Sequence, residues 1–310
     1  MKTIQLMKKS LPFLSIAIIT LTILSSCSFN GQFYHPMPIN TPFTVPITHE
    51  ETDDTLFIMQ VESRENPPLF LTTDGDTATF DYSIENVLFN NDENQNLHGW
   101  FIAPADSMQP KATLLFLHGN GGNIISYLSF VFPFVKRGYQ AFIFDYSGYG
   151  FSKGKPNRKS VLSSANAAVQ LISKRNDVKN SPLLLYGQSL GGHLSPEVAN
   201  QNRSAIDGVI IEGAFSSHKD IAAQSAGFFG RVLVKEAYPA KHAVKELTIP
   251  ILVIHSTNDS VIPFTMGKEL YERANEPKIF FEIDGYHICG PLSYADEIDE
   301  KIDEILNSKR

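Results

Sequence analysis

The sequence predicts an α/β protein with a mostly parallel central sheet, helices on both faces and a small lid. Three observations lead there. From Ala112 onward short apolar runs alternate with stretches of helical periodicity, the pattern of repeated βαβ units. Each of the apolar runs ends in a cluster of Gly, Ser, Asp or His, the residues that open α/β sheets carry at the carboxyl edges where their sites form. One interval, between Ile211 and Ile251, spans about forty residues, enough for a cap of a few turns and too short for a cap domain.

In chain order, a hairpin opens the domain: Tyr82 to Phe89, a polar turn from Asn90 to Asn96, then Leu97 to Ile102 with Trp100 inside it. The parallel strands are expected at Leu114–Leu117, Gln140–Phe144, Leu183–Tyr186, Val209–Ile211, Ile251–Ile254 and Ile279–Ile283. Helices are expected at Ile124–Arg137, Ser160–Arg175, Leu190–Asn200, Thr265–Arg273 and Ala295–Asn307. Pro196 lies within the third of these, where it removes a backbone donor and predicts a kink.

With 310 residues, 43% hydrophobic and 19% charged, the chain has apolar material for a large core. Its formal charge of −7 deepens to −10 once residues 1–26, which hold Lys2, Lys8, Lys9 and no acid, are set aside. Such an acidic body argues against nucleic acid as a partner.

The N-terminus divides from the rest by composition. Lys2, Lys8 and Lys9 precede an apolar run from Leu11 to Leu24, short for a membrane span, which marks residues 1–26 as a signal peptide. Leu24-Ser25-Ser26-Cys27 resembles the lipobox of bacterial lipoprotein precursors. The resemblance implies lipidation of Cys27 and attachment to the bacterial cell envelope, with Ser28 implying an outer membrane site facing the periplasm in a Gram-negative cell. An ordinary secretory signal and an uncleaved signal anchor are the alternatives. Residues 27–68, with Pro36, Pro38, Pro42, Pro46, Pro67 and Pro68, read as a proline-rich tether that partly docks, and residues 69–310 as the α/β domain. Cys27 and Cys289 are the only cysteines, so neither a disulfide framework nor a cysteine metal site is expected.

Gly187-Gln188-Ser189-Leu190-Gly191 matches G-x-S-x-G between an apolar run and a helical pattern, the setting of a nucleophile elbow. A strand that turns sharply into a helix strains the serine backbone and needs small residues two places before and after it. Serine is a weak nucleophile until an imidazole takes its proton, and the imidazole needs a carboxylate to fix its tautomer. Asp259, after the run ending at Ile254, and His287, after the last run, supply these groups in the order Ser, Asp, His. Glu212 is the competing acid. His118 and His255 read as buried structural histidines, His193 as pointing away from the site, and His35, His49, His98, His218 and His242 as surface or packing residues. His118-Gly119-Asn120-Gly121-Gly122-Asn123 is a glycine-rich turn before a helix; the amides of Asn120 and Leu190 are the expected oxyanion donors. A phosphate-cradling loop would need a following Gly-Lys-Ser/Thr, which is absent.

That turn, with Asp145-Tyr146-Ser147-Gly148-Tyr149-Gly150-Phe151-Ser152 and the serine elbow, resembles the lid-poor α/β-hydrolase-domain proteins, a group similar to the serine aminopeptidase-like hydrolases and protein depalmitoylases. The resemblance covers Tyr82 to the C-terminus and implies the α/β-hydrolase fold, a structural role for Asp145 and no cofactor. It departs at Ser147, Arg158, Ser160, Ser256, Asp284 and Tyr286; Tyr286, beside His287, is expected to narrow the acyl site. The expected function is cleavage of a carboxylic ester or thioester of a small-molecule or acylated substrate through an acyl-enzyme on Ser189. Peptidase or amidase activity on the same triad, or a non-catalytic lipid-anchored binding protein, are the alternatives.

Overall fold

A computed structural model describes residues 30–48, 55–104 and 109–308; the basic and apolar segment 1–26 and Cys27 lie outside the described residues. Eight strands form the central sheet: β1 (Tyr82–Asn90), β2 (Asn96–Pro104), β3 (Thr113–Leu117), β4 (Gln140–Asp145), β5 (Leu183–Gln188), β6 (Gly208–Glu212), β7 (Ile251–Ser256) and β8 (Lys278–Ile283). Their spatial order is β8-β7-β6-β5-β3-β4-β2-β1. β3 to β8 are mutually parallel, and the β1–β2 hairpin adds antiparallel to β4.

Every residue of β3, β4, β5, β6 and β7 is buried, as both faces of an interior parallel strand must be. β1, at one edge, alternates instead, with Val87 and Phe89 inward. Successive residues of a strand serve opposite faces. Leu115 and Leu117 join Phe142, Phe144, Val209 and Ile211 in one apolar layer, while Leu114 and Phe116 join Ile143, Tyr186 and Ile210 in the other.

Six main helices cover the two layers: α1 (Ile124–Val135), α2 (Arg158–Ile172), α3 (Leu190–Gln201), α4 (His218–Leu233), α5 (Phe264–Arg273) and α6 (Ala295–Asn307). Their starts follow from capping chemistry. The Asn123 side chain accepts from Ile125 N at 3.0 Å, and Asn157 with Ser160 forms a reciprocal capping box at α2. α6 buries Ile298, Ile302 and Ile305, one stripe at helical spacing. α3 continues through Pro196 without interruption, so the expected kink does not break it. Pro196 deprives the Gly192 carbonyl of its helical donor, and one residue earlier Ser195 Oγ donates to Gly191 O at 2.7 Å.

The segment read as a tether docks along much of its length. Phe43–Thr48 pairs antiparallel with Thr55–Val61, which pairs in turn with Leu69–Leu71, and Met59, Val61 and Phe70 are buried in the same layer as Trp100. The compositional boundary at 68/69 therefore falls inside a three-stranded sheet. Nearer the start, His35–Pro36 pairs parallel with Gly121–Gly122, laying the chain across the glycine-rich turn. Among the described residues no helix is long and apolar enough to cross a membrane.

Candidate active site

The parallel register brings the carboxyl ends of β5 to β8 to one edge. Gln188 lies beside Glu212, Glu212 beside Ile254, and Ser256 beside Ile283, so the loops that carry Ser189, Asp259 and His287 leave the sheet together. Chain separation is thereby cancelled by topology.

Ser189 occupies the turn from β5 into α3 with φ 53° and ψ −110°, a conformation that costs a non-glycine residue about 1–3 kcal/mol. A side chain at Gly187 would collide with Ser195 and Gly191, and one at Gly191 with the backbone of Leu117, which is the physical reason for both glycines. The turn is pinned by its own amide, since Ser189 N donates to Glu212 O at 2.9 Å.

His287 Nδ1 lies 2.6 Å from Asp259 Oδ2, and the Asp259 side chain is wholly buried. Burial opposes ionisation of Asp259, but hydrogen bonding by His287 and by the amides of Ile262 and Val261 outweighs it and holds the carboxyl below the usual range. Space for the imidazole comes from Gly213, at φ +56°, where an added Cβ would stand 3.1 Å from His287 Cε1. Ser256, a departure from the family pattern, donates to Gly285 O at 2.6 Å and so steadies the loop two residues before His287.

Asn120 and Leu190 both border the cavity that contains Ser189 and His287. Leu190 is the first residue of α3, where amides have no intrahelical acceptor. The carbonyl of Asn120 accepts from His35 N at 2.9 Å and from Tyr149 Oη at 2.8 Å, which fixes the turn from its outer side.

The cavity measures about 590 Å³, inside the range of small-molecule sites. Its walls are mainly apolar: Phe33, Phe215, Ile221, Phe229, Leu233 and Val234 among them, the last four from α4 and its end, so the interval between Ile211 and Ile251 does form the lid. Among the described residues no Asp, Glu, Lys or Arg lines it.

The competing groups have other partners, although His255 Nε2 also lies 3.5 Å from Asp259 Oδ2. Glu212 is buried and accepts from Tyr186 Oη at 2.9 Å, Gln188 Nε2 at 2.8 Å and Gly290 N at 2.7 Å; it makes no hydrogen bond to His287 among the described contacts. Asp145 accepts from Ile124 N at 3.0 Å at the start of α1, and burial pushes its carboxyl up to about 8. His118 and His255 are buried and hydrogen-bonded, to Gly119 O at 2.8 Å and Ile262 O at 3.1 Å. His193 stacks behind Phe215 at 4.0 Å, outside the cavity. Tyr286 is 57% exposed and does not line the cavity, so the expectation that it narrows the site fails; Ile288, on the far side of His287, lines it instead.

Sequence reasoning missed the N-terminal wall. Gln32 and Phe33 line the cavity, with the Arg158 guanidinium 4.9 Å from the Phe33 ring centre and His218 edge-on to it at 5.0 Å. Arg158 was visible as a departure from the family pattern, but nothing in its neighbourhood pointed to a residue 125 positions earlier. Among the described residues no cluster of three or more His, Cys, Asp or Glu side chains is placed to hold a metal ion.

Fold and site together define an α/β hydrolase. Residues 108–242 match the family described as serine aminopeptidase, S33. The chain is 36% identical over 214 residues to the uncharacterized protein YfhR of Escherichia coli (strain K12), covering 67% of this chain and 74% of that one. It is 33% identical over 172 residues to the human alpha/beta hydrolase domain-containing protein 17B, covering 55% and 58%. Among solved structures it is similar to the Pyrococcus furiosus esterase Pf2001 (TM-score 0.60, 17% identity, 73% of this chain and 92% of that one). It is also similar to Est1E of Butyrivibrio proteoclasticus with ferulic acid bound (TM-score 0.61, 17% identity, 71% and 99%). At those identities the solved structures establish the fold. The chain belongs to the α/β-hydrolase family and is a hydrolase.

Proposed function

We propose that the protein cleaves carboxylic esters or thioesters through an acyl-enzyme on Ser189. The observation that carries this reading is the 2.6 Å contact of His287 Nδ1 with Asp259 Oδ2 at the cavity that Ser189 borders. Ser189 Oγ attacks the acyl carbon while His287 Nε2 takes its proton, and the amides of Asn120 and Leu190 receive the developing oxyanion. Collapse expels the alcohol or thiol, which takes the proton from His287. Water then repeats the sequence on the acyl-enzyme and frees the acid.

The apolar walls favour an uncharged acyl group. An aminopeptidase must hold a substrate ammonium, and among the described residues no carboxylate lines the cavity, which weighs against that alternative. The test is labelling with a fluorophosphonate and turnover of nitrophenyl esters. Wild type is expected to react in both, and Ser189→Ala in neither while keeping its circular-dichroism spectrum. A wild-type protein inert to the probe favours a binding protein, and a Ser189→Ala enzyme with wild-type turnover overturns the nucleophile.

The sequence Leu24-Ser25-Ser26-Cys27 supports, as part of the same reading, anchorage to the cell envelope through an acylated Cys27. Cys27→Ser is expected to abolish incorporation of labelled palmitate. Wild-type protein that is soluble and unlabelled overturns the anchor.

A further inference from the structure

The lid ends in an apolar tip that no other described residue covers. Inside α4, Ala226 (φ −135°, ψ 19°) and Gly227 (φ 57°, ψ −142°) leave helical geometry. The next two residues, Phe228 and Phe229, are 74% and 72% exposed, with ring centres 6.0 Å apart, and Val232 is half exposed one turn on. Exposed aromatic rings of this size are unfavourably hydrated, so this surface gains by leaving water. Phe229 and the exposed Val261 also line the cavity, which places the tip at the cavity mouth.

Two further observations indicate what the tip meets. From Ile221 to Gly230 the lid carries no charged residue, and from Ile221 to Lys235 it carries no acid, although the chain as a whole is acidic. Of the two cations in that stretch, Arg231 pairs with Asp220 at 2.6 Å and Lys235 is exposed. An uncharged apolar tip flanked by a cation suits a lipid surface and not water. In addition, Gln32 and Phe33 form a wall of the same cavity, and Cys27 precedes Gln32 by five residues, a reach of at most about 18 Å.

We propose that the Phe228–Phe229 tip, with Val232 and Val261, seats the cavity mouth on a lipid bilayer, so that the acyl substrate enters from the membrane. This deepens the esterase reading and uses the Cys27 anchor for orientation; the tip itself stands independently of both.

The experiment uses the full chain in vesicles of phosphatidylcholine and phosphatidylglycerol, in a Ser189→Ala background so that the readout does not depend on catalysis. A polarity-sensitive fluorophore is attached at Phe228→Cys or, as a control, at the exposed Asp303→Cys on α6. Emission at position 228 is expected to shift to the blue and to be quenched by lipids bearing a spin label on the acyl chain, with no quenching at 303. Vesicle-bound protein without quenching at 228 overturns the proposal, and a blue shift without quenching in a dimer shows that a second copy covers the tip instead. With Ser189 intact, Phe228→Ser combined with Val232→Ser, neither of which lines the cavity, is expected to slow hydrolysis of a bilayer-embedded ester about tenfold and to leave a soluble short-chain ester within about twofold. Equal loss on both esters also overturns it. A wild-type enzyme that turns over neither ester counts against the Ser189 reading alone, because the quenching result is unaffected.

Discussion

The carboxylate of Glu212 accepts the Gly290 amide at 2.7 Å, three residues beyond His287. The same residue's backbone oxygen accepts from Ser189 N at 2.9 Å. Gln188, which precedes the serine, donates to Glu212 at 2.8 Å and approaches Ile288 O at 3.3 Å. One buried acid thus ties the strand end that carries Ser189 to the loop that carries His287. A side chain at Gly290 would stand 2.7 Å from Glu212 Oε1, so that glycine is needed for the contact.

Glu212 and Asp259 therefore differ in how they fail. Asp259→Asn is expected to lower kcat by orders of magnitude with a small change in Tm, because His287 loses the acceptor that fixes its tautomer. Glu212→Gln is expected to keep kcat within about tenfold and to lower Tm, because an amide NH₂ then faces donors from Tyr186, Gln188 or Gly290 at a buried site. Esterase kinetics and calorimetry on the two variants decide the matter; the reverse ranking moves the catalytic acid to Glu212.

Asp145 gives the stability of the fold a dependence on pH. Its folded carboxyl is pushed by burial up to about 8, whereas an unfolded aspartate titrates near about 3.9. Between those values the folded state holds a proton that the unfolded state releases, so stability present at low pH is lost as pH rises through the folded value. Wild type is expected to lose Tm relative to Asp145→Asn between pH about 4 and about 8. Parallel melting curves for the two proteins over that range would show an Asp145 that is ionised throughout.

The cavity sets a limit on the acyl chain. Each methylene it covers is worth about 0.8 kcal/mol, roughly fourfold in kcat/KM, and its volume is about 590 Å³. With soluble nitrophenyl esters, kcat/KM is expected to rise over the first few carbons and then level off or fall. A series from acetyl to palmitoyl, each below its aggregation limit, measures this. No dependence on length makes the apolar wall mere packing, and a rise to the longest chain shows that the acyl chain extends past the cavity.

The sheet and the elbow were legible because their signals are local. β3 to β7 each contain a short apolar run, and Ser189 sits in a five-residue pattern with its strand and helix adjoining. Asp259 and His287 needed the chain order of a known family as well, since nothing near either residue reports the other. Proline hid the N-terminal strands: Phe43–Thr48 contains Pro46, and a strand at a sheet edge tolerates a missing donor that composition alone counts against it. Helix continuity through Pro196 was hidden for a related reason, since α3 stays helical where propensity alone predicts a kink.

The strap formed by residues 34–38 makes the hydrolase sensitive to its own completeness. His35 and Met37 donate to Asn120 and Gly122 at 2.9 and 3.1 Å, and Asn123 Nδ2 returns a bond to Met37 O at 3.0 Å. Loss of the chain up to Ile39 spares Ser189, Asp259 and His287, and leaves the buried Met59, Val61 and Phe70 in place. It removes Phe33 from the cavity wall and the outer support from the turn that carries Asn120. A trimmed enzyme of this kind would fold around an intact triad and still lose rate, most of all at the step where negative charge gathers on the substrate oxygen.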